Sequence, residues 1–248
     1  MNRDLWTDSL YKAWCPPWEC PVCRTGRAVL RSDSLVFEET VESRRDQDEE
    51  YWGPENIEYI FTAWAECSNV GCKQAFAIAG TGGIEQGFNS SDEEHTWEER
   101  FTPTQILPAP KMIDLPRLCP KPVEECFKSA FSLYWSDPEA CAGKIRAALE
   151  ALLTHLGIAT DDTSDPKKPK RLSLHRRIEL LQKTTNVQAT PLMAIKWMGN
   201  TGSHGGTVSR RDTLDALELL EHLLPELLEK KSEHLKTLEA RLLKRHLP

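Results

Sequence analysis

Cys20-Pro-Val-Cys23 and Cys67-Ser-Asn-Val-Gly-Cys72 are the two short stretches that set the fold class of this 248-residue chain. Two thiolates separated by two residues can chelate one metal from a tight turn, and the four-residue gap of the second pair, which holds Asn69 and Gly71, suits another such knuckle. Tetrahedral zinc takes four soft ligands, and two knuckles supply them. One structural Zn2+ on Cys20, Cys23, Cys67 and Cys72 is therefore expected, and four thiolates leave no open position for catalysis. Cys15, five residues before Cys20, stays open as a replacement for one of the four. Eight cysteines in a chain without an export signal point to metal ligands or buried thiols, because the cytosol keeps thiols reduced. Cys119, Cys126 and Cys141 fall on or near helical periodicity and are expected as core thiols.

Outward from these loops the sequence has strand character. Arg27 to Phe37 carries Val29, Leu30, Leu35, Val36 and Phe37 after a glycine turn; Tyr59 to Ala65 is aromatic-rich ahead of Cys67, and Ala75 to Ala79 follows Cys72. Strand, knuckle, strand is the layout of a zinc ribbon, two short β-hairpins whose tips pinch one metal. Glu38 to Asn56 and Ser90 to Arg100 are strongly acidic and are expected to be solvated loops. Trp14, Trp18 and Trp52 flank the ribbon, and acidic surroundings suit them to packing better than to base stacking. Pro103, Pro108, Pro110 and Pro116 predict an extended linker. The expected division is a zinc-ribbon domain over 1–100, a proline-rich linker over 101–119 and a helical domain over 120–248.

Helical periodicity begins after Pro122 and continues almost to the end. Val123 to Tyr134 places Phe127, Ala130, Phe131 and Tyr134 at helical spacing, and Asp137-Pro138 then caps a second helix with Ile145, Ala148, Leu149, Leu152 and Leu153. A basic loop over 165–171 precedes a third helix with Leu174, Ile178, Leu180 and Leu181. Pro191 starts a fourth, expected to stop at Gly199-Asn200 because both residues tolerate the left-handed conformation. After a turn through Gly202, Gly205 and Gly206, a fifth helix runs from about Arg211, with Pro225 kinking or dividing it. Leu228, Leu235 and Leu242 recur at seven, with Leu238 between them: the spacing of a short coiled-coil seam, or of a helix packed on its own domain. A homodimer is the expectation drawn from that series. The fold class is α+β, an N-terminal zinc ribbon with short hairpins and a C-terminal all-α bundle.

The net charge of −7 conceals an asymmetry. Residues 1–100 hold 9 Lys+Arg against 20 Asp+Glu, whereas residues 101–248 hold 22 against 18. The first half repels a phosphate backbone as a whole, and only the second could attract one. Lys167, Lys168, Lys170, Arg171, Arg176 and Arg177 form its local basic cluster, with His175, Arg176 and Arg177 expected on a solvated face. No run of eighteen apolar residues exists, and Met1 to Tyr11 lacks a basic start followed by an apolar stretch, so a cytoplasmic protein without a membrane span is expected.

Three local signals in order carry a family resemblance: Asp137-Pro138 before a helix with Arg146-Ala-Ala-Leu-Glu150, a short middle helix over Leu172 to Leu181, and Lys196-Trp-Met-Gly-Asn-Thr-Gly-Ser-His204. Together they resemble the bacterial family called domain of unknown function 4145, over about residues 120–230. That family occurs in restriction and phage-defence proteins, often behind a zinc ribbon, and is related to the HEPN helical superfamily. The resemblance implies a HEPN-like bundle and, as candidate catalytic residues, Lys196, Asn200, His204, Arg146 and Glu150. Many HEPN proteins are metal-independent ribonucleases with an Arg-x4-6-His motif. A histidine there moves a proton at the ribose 2′-hydroxyl or the leaving oxygen, and an arginine stabilises charge on phosphorus. In this chain Lys196 stands in place of the arginine and seven residues separate it from His204, and a lysine lacks the bidentate fork.

Two function classes follow. The first is a non-catalytic interaction or regulatory subunit of a bacterial defence system, binding protein partners through ribbon and bundle. The second is a HEPN-like ribonuclease or toxin with RNA or a nucleotide at the helical domain. The degenerate motif and the acidic first half favour the former. Arg146 and Glu150, four apart on one helix, also suit a plain ion pair, and Gly199-Asn200 with His204 a helix end with a capping side chain.

Overall fold

Phe61, Ala63, Ala65 and Cys67 are buried while Ile60 before them and Thr62 and Trp64 between them are exposed, the period-two alternation of a strand with one face on a core. That strand, Glu58–Cys67, is the spine of the N-terminal unit. The computed structural model describes residues 1–89, 94–165, 170–185, 189–201, 207–229 and 231–246, and separates two compact units, 2–111 and 112–248, the latter grouped with Met1. In chain order the first unit carries α1 (Asp4–Thr7), β1 (Ala28–Leu30), β2 (Val36–Glu39), α2 (Val41–Asp46), β3 (Glu58–Cys67), β4 (Ala75–Asn89) and β5 (Glu94–Leu107). The second carries α3 (Lys121–Leu133), α4 (Pro138–His155), β6 (Asp161–Asp162), β7 (Lys170–Arg171), α5 (Leu174–Thr184), α6 (Ala189–Thr201), α7 (Arg210–Glu229) and α8 (Lys231–His246). The class is α+β, with an antiparallel sheet in the N-terminal unit and helices in the other.

Among the described residues the sheet has five strands in the antiparallel order β1-β3-β4-β5, with β2 also on β3. It is larger than the two short hairpins expected. Arg27 to Phe37 is two strands on one edge of β3, with Leu30 opposite Ala65 and Val36 opposite Thr62. A 3-10 turn over Ser32–Ser34 separates them, and Ser34 Oγ accepts the Trp64 N–H at 2.9 Å in place of a ladder carbonyl. The acidic stretch Ser90 to Arg100 is strand from Glu94 onward. Exposed charges do not prevent this, because the ladder satisfies the backbone and Arg100 pairs across the strands with Glu85 at 3.0 Å. Residues 101–107, expected to begin the linker, are the second half of β5. Phe101 there is fully buried, its ring 5.0 Å from Phe37 and 5.2 Å from Phe61, and Pro103 sits opposite Gly80 where the register shifts, the place in a sheet that tolerates proline. The acidic Glu38–Asn56 insert is also partly structured, since Thr40 caps α2 by accepting the Ser43 N–H at 3.2 Å.

In the helical unit α4 is central and packs on α3, α5, α6 and α7. Its buried residues Cys141, Ala142, Ile145, Ala148, Leu149, Leu152 and Leu153 follow the helical repeat, and Asp137 caps it by accepting the Ala140 N–H at 2.8 Å. Ser173 does the same for α5 at 3.2 Å. Cys141 is fully buried as expected, with burial pushing its thiol up to about 12, whereas Cys119 and Cys126 are only partly buried. One boundary differs: helix α6 runs through Gly199 and Asn200 to Thr201. Pro225 lies inside α7, which continues to Glu229, so the helix is not divided there. Among the described residues no helix is long and apolar enough to cross a membrane.

Candidate metal centre and helical-domain site

Strand pairing brings the two knuckles together. The first loop runs into β1, the second joins the end of β3 to the start of β4, and the register Ala28 opposite Cys67 places both at one end of the sheet. Each loop closes in the same way: the Cys20 N–H donates to Gly26 O at 3.0 Å and the Cys67 N–H to Gln74 O at 2.8 Å. The residue directly after the second cysteine of each loop, Arg24 (φ 60°) or Lys73 (φ 54°), takes the left-handed backbone. For a non-glycine residue that conformation costs on the order of 1–2 kcal/mol.

The four Sγ atoms of Cys20, Cys23, Cys67 and Cys72 lie within 4.8 Å of one another, and the two close pairs, Cys20–Cys72 at 3.9 Å and Cys23–Cys67 at 3.6 Å, each join one loop to the other. Metal–thiolate bonds of about 2.3 Å set sulfur–sulfur edges of about 3.8 Å in a regular tetrahedron. The cluster fits that figure and is positioned to bind a metal ion. Cys15 is not part of it: its thiol is buried, lies 3.9 Å from Ala28 O, and is pushed up to about 11 by burial. The alternative ligand set is therefore dropped.

The electrostatics favour a cation. The Thr25 hydroxyl at 3.5 Å and the Gly26 N–H at 3.3 Å point at Cys23 Sγ, and hydrogen bonds, the Thr25 hydroxyl first, hold its thiol down to about 5. Cys67 goes the other way, pushed up to about 12 by burial and by the neighbouring thiols. Among bare thiols one thiolate discourages the next, and a divalent ion removes that penalty by taking the protons' place. Gly26 is required by close approach: a Cβ there would collide with Cys67 Sγ and stand 2.8 Å from the Asn69 N. Asn69 ties the knuckles by donating from Nδ2 to Thr25 Oγ1 at 3.0 Å, as does the Arg27 N–H to Ser68 Oγ at 2.9 Å. Trp18 is fully buried nearby in sequence and donates from Nε1 to Leu5 O at 2.6 Å, a packing role, while Trp14 is 42 % exposed.

In the helical unit the structure brings three of the five candidate catalytic residues together. Arg146 Nη1 donates to Asn200 Oδ1, and Arg146 Nε pairs with Glu150 Oε1 at 3.2 Å. Gly199 makes this possible, since a Cβ there would come within 2.8 Å of Arg146 Cβ and 3.3 Å of Ala142 O. Lys196 is buried, its ammonium 3.3 Å from the centroid of the adjacent Trp197 ring. His204 lies outside the described residues, as do Lys167 and Lys168. His175 and Arg176 form a solvated face with Glu179, at 3.4 and 2.7 Å. Arg177 does not share it. Its side chain is buried, with Nη1 donating to Glu150 O at 3.2 Å and Nη2 to Thr154 Oγ1 at 2.8 Å.

Residues 128–245 match the family model described as Domain of unknown function (DUF4145). That match supports the domain family for the helical unit. Residues 8–106 match a second model, described as Domain of unknown function (DUF8608). No curated protein and no solved structure matches the chain. Within the DUF4145 segment the buried Arg177 is the residue that charge patterning misplaced, and its place in the helical repeat, three after Leu174 and one before Ile178, is the signal that could have found it. Thr25 and Asn69 in the DUF8608 segment carry no pattern of their own and are visible only once the loops meet.

Proposed function

We propose that the chain is a non-catalytic, cytoplasmic interaction subunit of a bacterial defence system of the restriction or anti-phage kind. A structural Zn2+ on Cys20, Cys23, Cys67 and Cys72 fixes a ribbon-like sheet domain, and a HEPN-like bundle is the second binding element. The observation that carries this is the mutual engagement of Arg146, Glu150 and Asn200, with Lys196 buried against Trp197. Groups that a ribonuclease would turn toward a phosphate are tied to one another. Partner surface is available: Ile60 and Trp64 of β3 with Leu107 of β5 are 61 %, 49 % and 71 % exposed on the outer face of the sheet. On this reading these side chains, which share one face of the sheet, are where a partner protein sits.

Purified full chain incubated with total RNA, with and without EDTA, is expected to leave the RNA intact. Cleavage that survives EDTA and disappears in His204→Ala would overturn the proposal in favour of a ribonuclease or toxin.

The same proposal includes a two-fold dimer through α8, where Leu235, Leu242 and Leu243 are about half exposed or more. Light scattering at micromolar concentration is expected to give twice the 28.2 kDa chain mass, and the chain mass itself for Leu235→Glu/Leu242→Glu. A wild-type monomer would remove the dimer from the account.

A further inference from the structure

A cavity of about 160 Å³ opens in the helical unit beside α4, the β6–β7 hairpin and the first turn of α5, lined by Arg146, Glu150, Thr160, Arg171, Ser173 and Arg177. At about 30 Å³ per water that is room for roughly five waters. One phosphate-sized group fits, whereas pockets for whole drug-sized ligands begin at about 300 Å³.

The lining is built for negative charge. Among the described residues it sets three arginines against one carboxylate, Glu150, which is already paired with Arg146 at 3.2 Å, while a second carboxylate, Asp161 opposite Arg171 in the hairpin, acts on Arg177 from outside the lining. Arg177 is only 4 % exposed; among the described residues its hydrogen bonds run to the neutral oxygens of Glu150 O, Thr154 Oγ1 and Ile158 O, and its Nε has no partner. A buried donor of that kind calls for a ligand or an ordered water. The start of α5 adds to this. Ser173 caps it, no acidic residue occupies its first turn, and the first amides of a helix lack partners within the helix and favour an anion. Arg171 stands exposed at the mouth, close enough that its charge opposes that of Arg177.

We propose that this cavity binds a phosphate-type oxyanion, held by Arg171 at the entrance and by Arg177 Nε and the first turn of α5 within. The anion is inorganic phosphate or the terminal phosphate of a larger molecule. It is recognised by charge and by the number of converging donors, with no space for a base. The site is independent of the metal centre and does not require RNA cleavage.

Titration calorimetry of the full chain with inorganic phosphate at fixed ionic strength tests it. Saturable binding at one site per chain is expected, weakened about tenfold in Arg171→Gln, the loss of one charge-assisted hydrogen bond. Arg177→Lys, which keeps the charge and removes Nε, is expected to weaken it further. Should that buried variant not fold, the exposed Arg171→Gln alone decides. Competition by a 5′-phosphorylated dinucleotide but not by its 5′-hydroxyl form would support the site with a terminal phosphate as its source; competition by neither, beside saturable phosphate binding, would support it with the free ion. Equal competition by both forms, no saturable binding, or binding unchanged in Arg171→Gln (an adventitious ion only) would overturn it.

Discussion

Cys67→Ser is expected to melt the N-terminal unit far below the helical one. Cys67 is fully buried, ends β3, and lies 3.6 Å from Cys23 Sγ across the two loops, so its loss removes one of the four clustered thiols and one of the contacts between the knuckles. Structural zinc binding contributes about 10–16 kcal/mol in small finger peptides at neutral pH. Whole domains are stable by about 5–15 kcal/mol. The aromatic core around Phe61, Phe76 and Phe101 gives this sheet some stability of its own, so the expected result is a transition lowered by tens of degrees for residues 2–111. The helical transition should hardly move. Circular dichroism melts with amide resonances assigned to each unit read both, and a variant whose sheet melts with the wild type would contradict the structural role.

Acid should have the same effect as the substitution, with a definite sign. Cys23 sits at about 5 in the fold against an ordinary thiol value of 9.0, a depressed group. Its contribution is therefore complete above pH 9, declines as the pH falls toward 5 and is gone below it. Metal-bound thiolates compete with protons in the same direction.

Gly199→Val is the second large effect. The added side chain meets Arg146 Cβ and the Ala142 carbonyl on α4, so α6 must move off the central helix. Overpacking of this sort costs about 1–3 kcal/mol, and the shift also breaks the part-buried Arg146–Asn200 bond at a further net cost of about 0.5–1.5 kcal/mol, since Arg146 keeps Glu150. Asn200→Ala should show the second cost without the first. Chemical denaturation of both variants checks this, and a Gly199→Val protein as stable as wild type would remove the packing account of the Gly-Asn pair.

What could be read from sequence follows from how local each cause is. The four-cysteine cluster was legible because chelation by a turn fixes the spacing of such cysteines within a few residues. Helices α3, α4 and α5 were legible because burial on one face imposes their repeat and Asp137 and Ser173 mark where two of them start. The second half of the sheet was not, since Glu94–Leu107 is acidic at one end and contains Pro103, and what makes it a strand is the long partner β4 and a bulge opposite Gly80. Gly199-Asn200 reads as a helix end for the same reason: its helical continuation depends on contact with α4, a neighbour remote in sequence.

The central claim is a structural zinc on four cysteines, and metal analysis of protein purified without chelator tests it most directly. The account predicts one zinc, and no iron, per chain in the wild type and in Cys15→Ser, falling to near zero in Cys67→Ser. Wild-type protein without bound zinc, or zinc retained in full by Cys67→Ser, would contradict it.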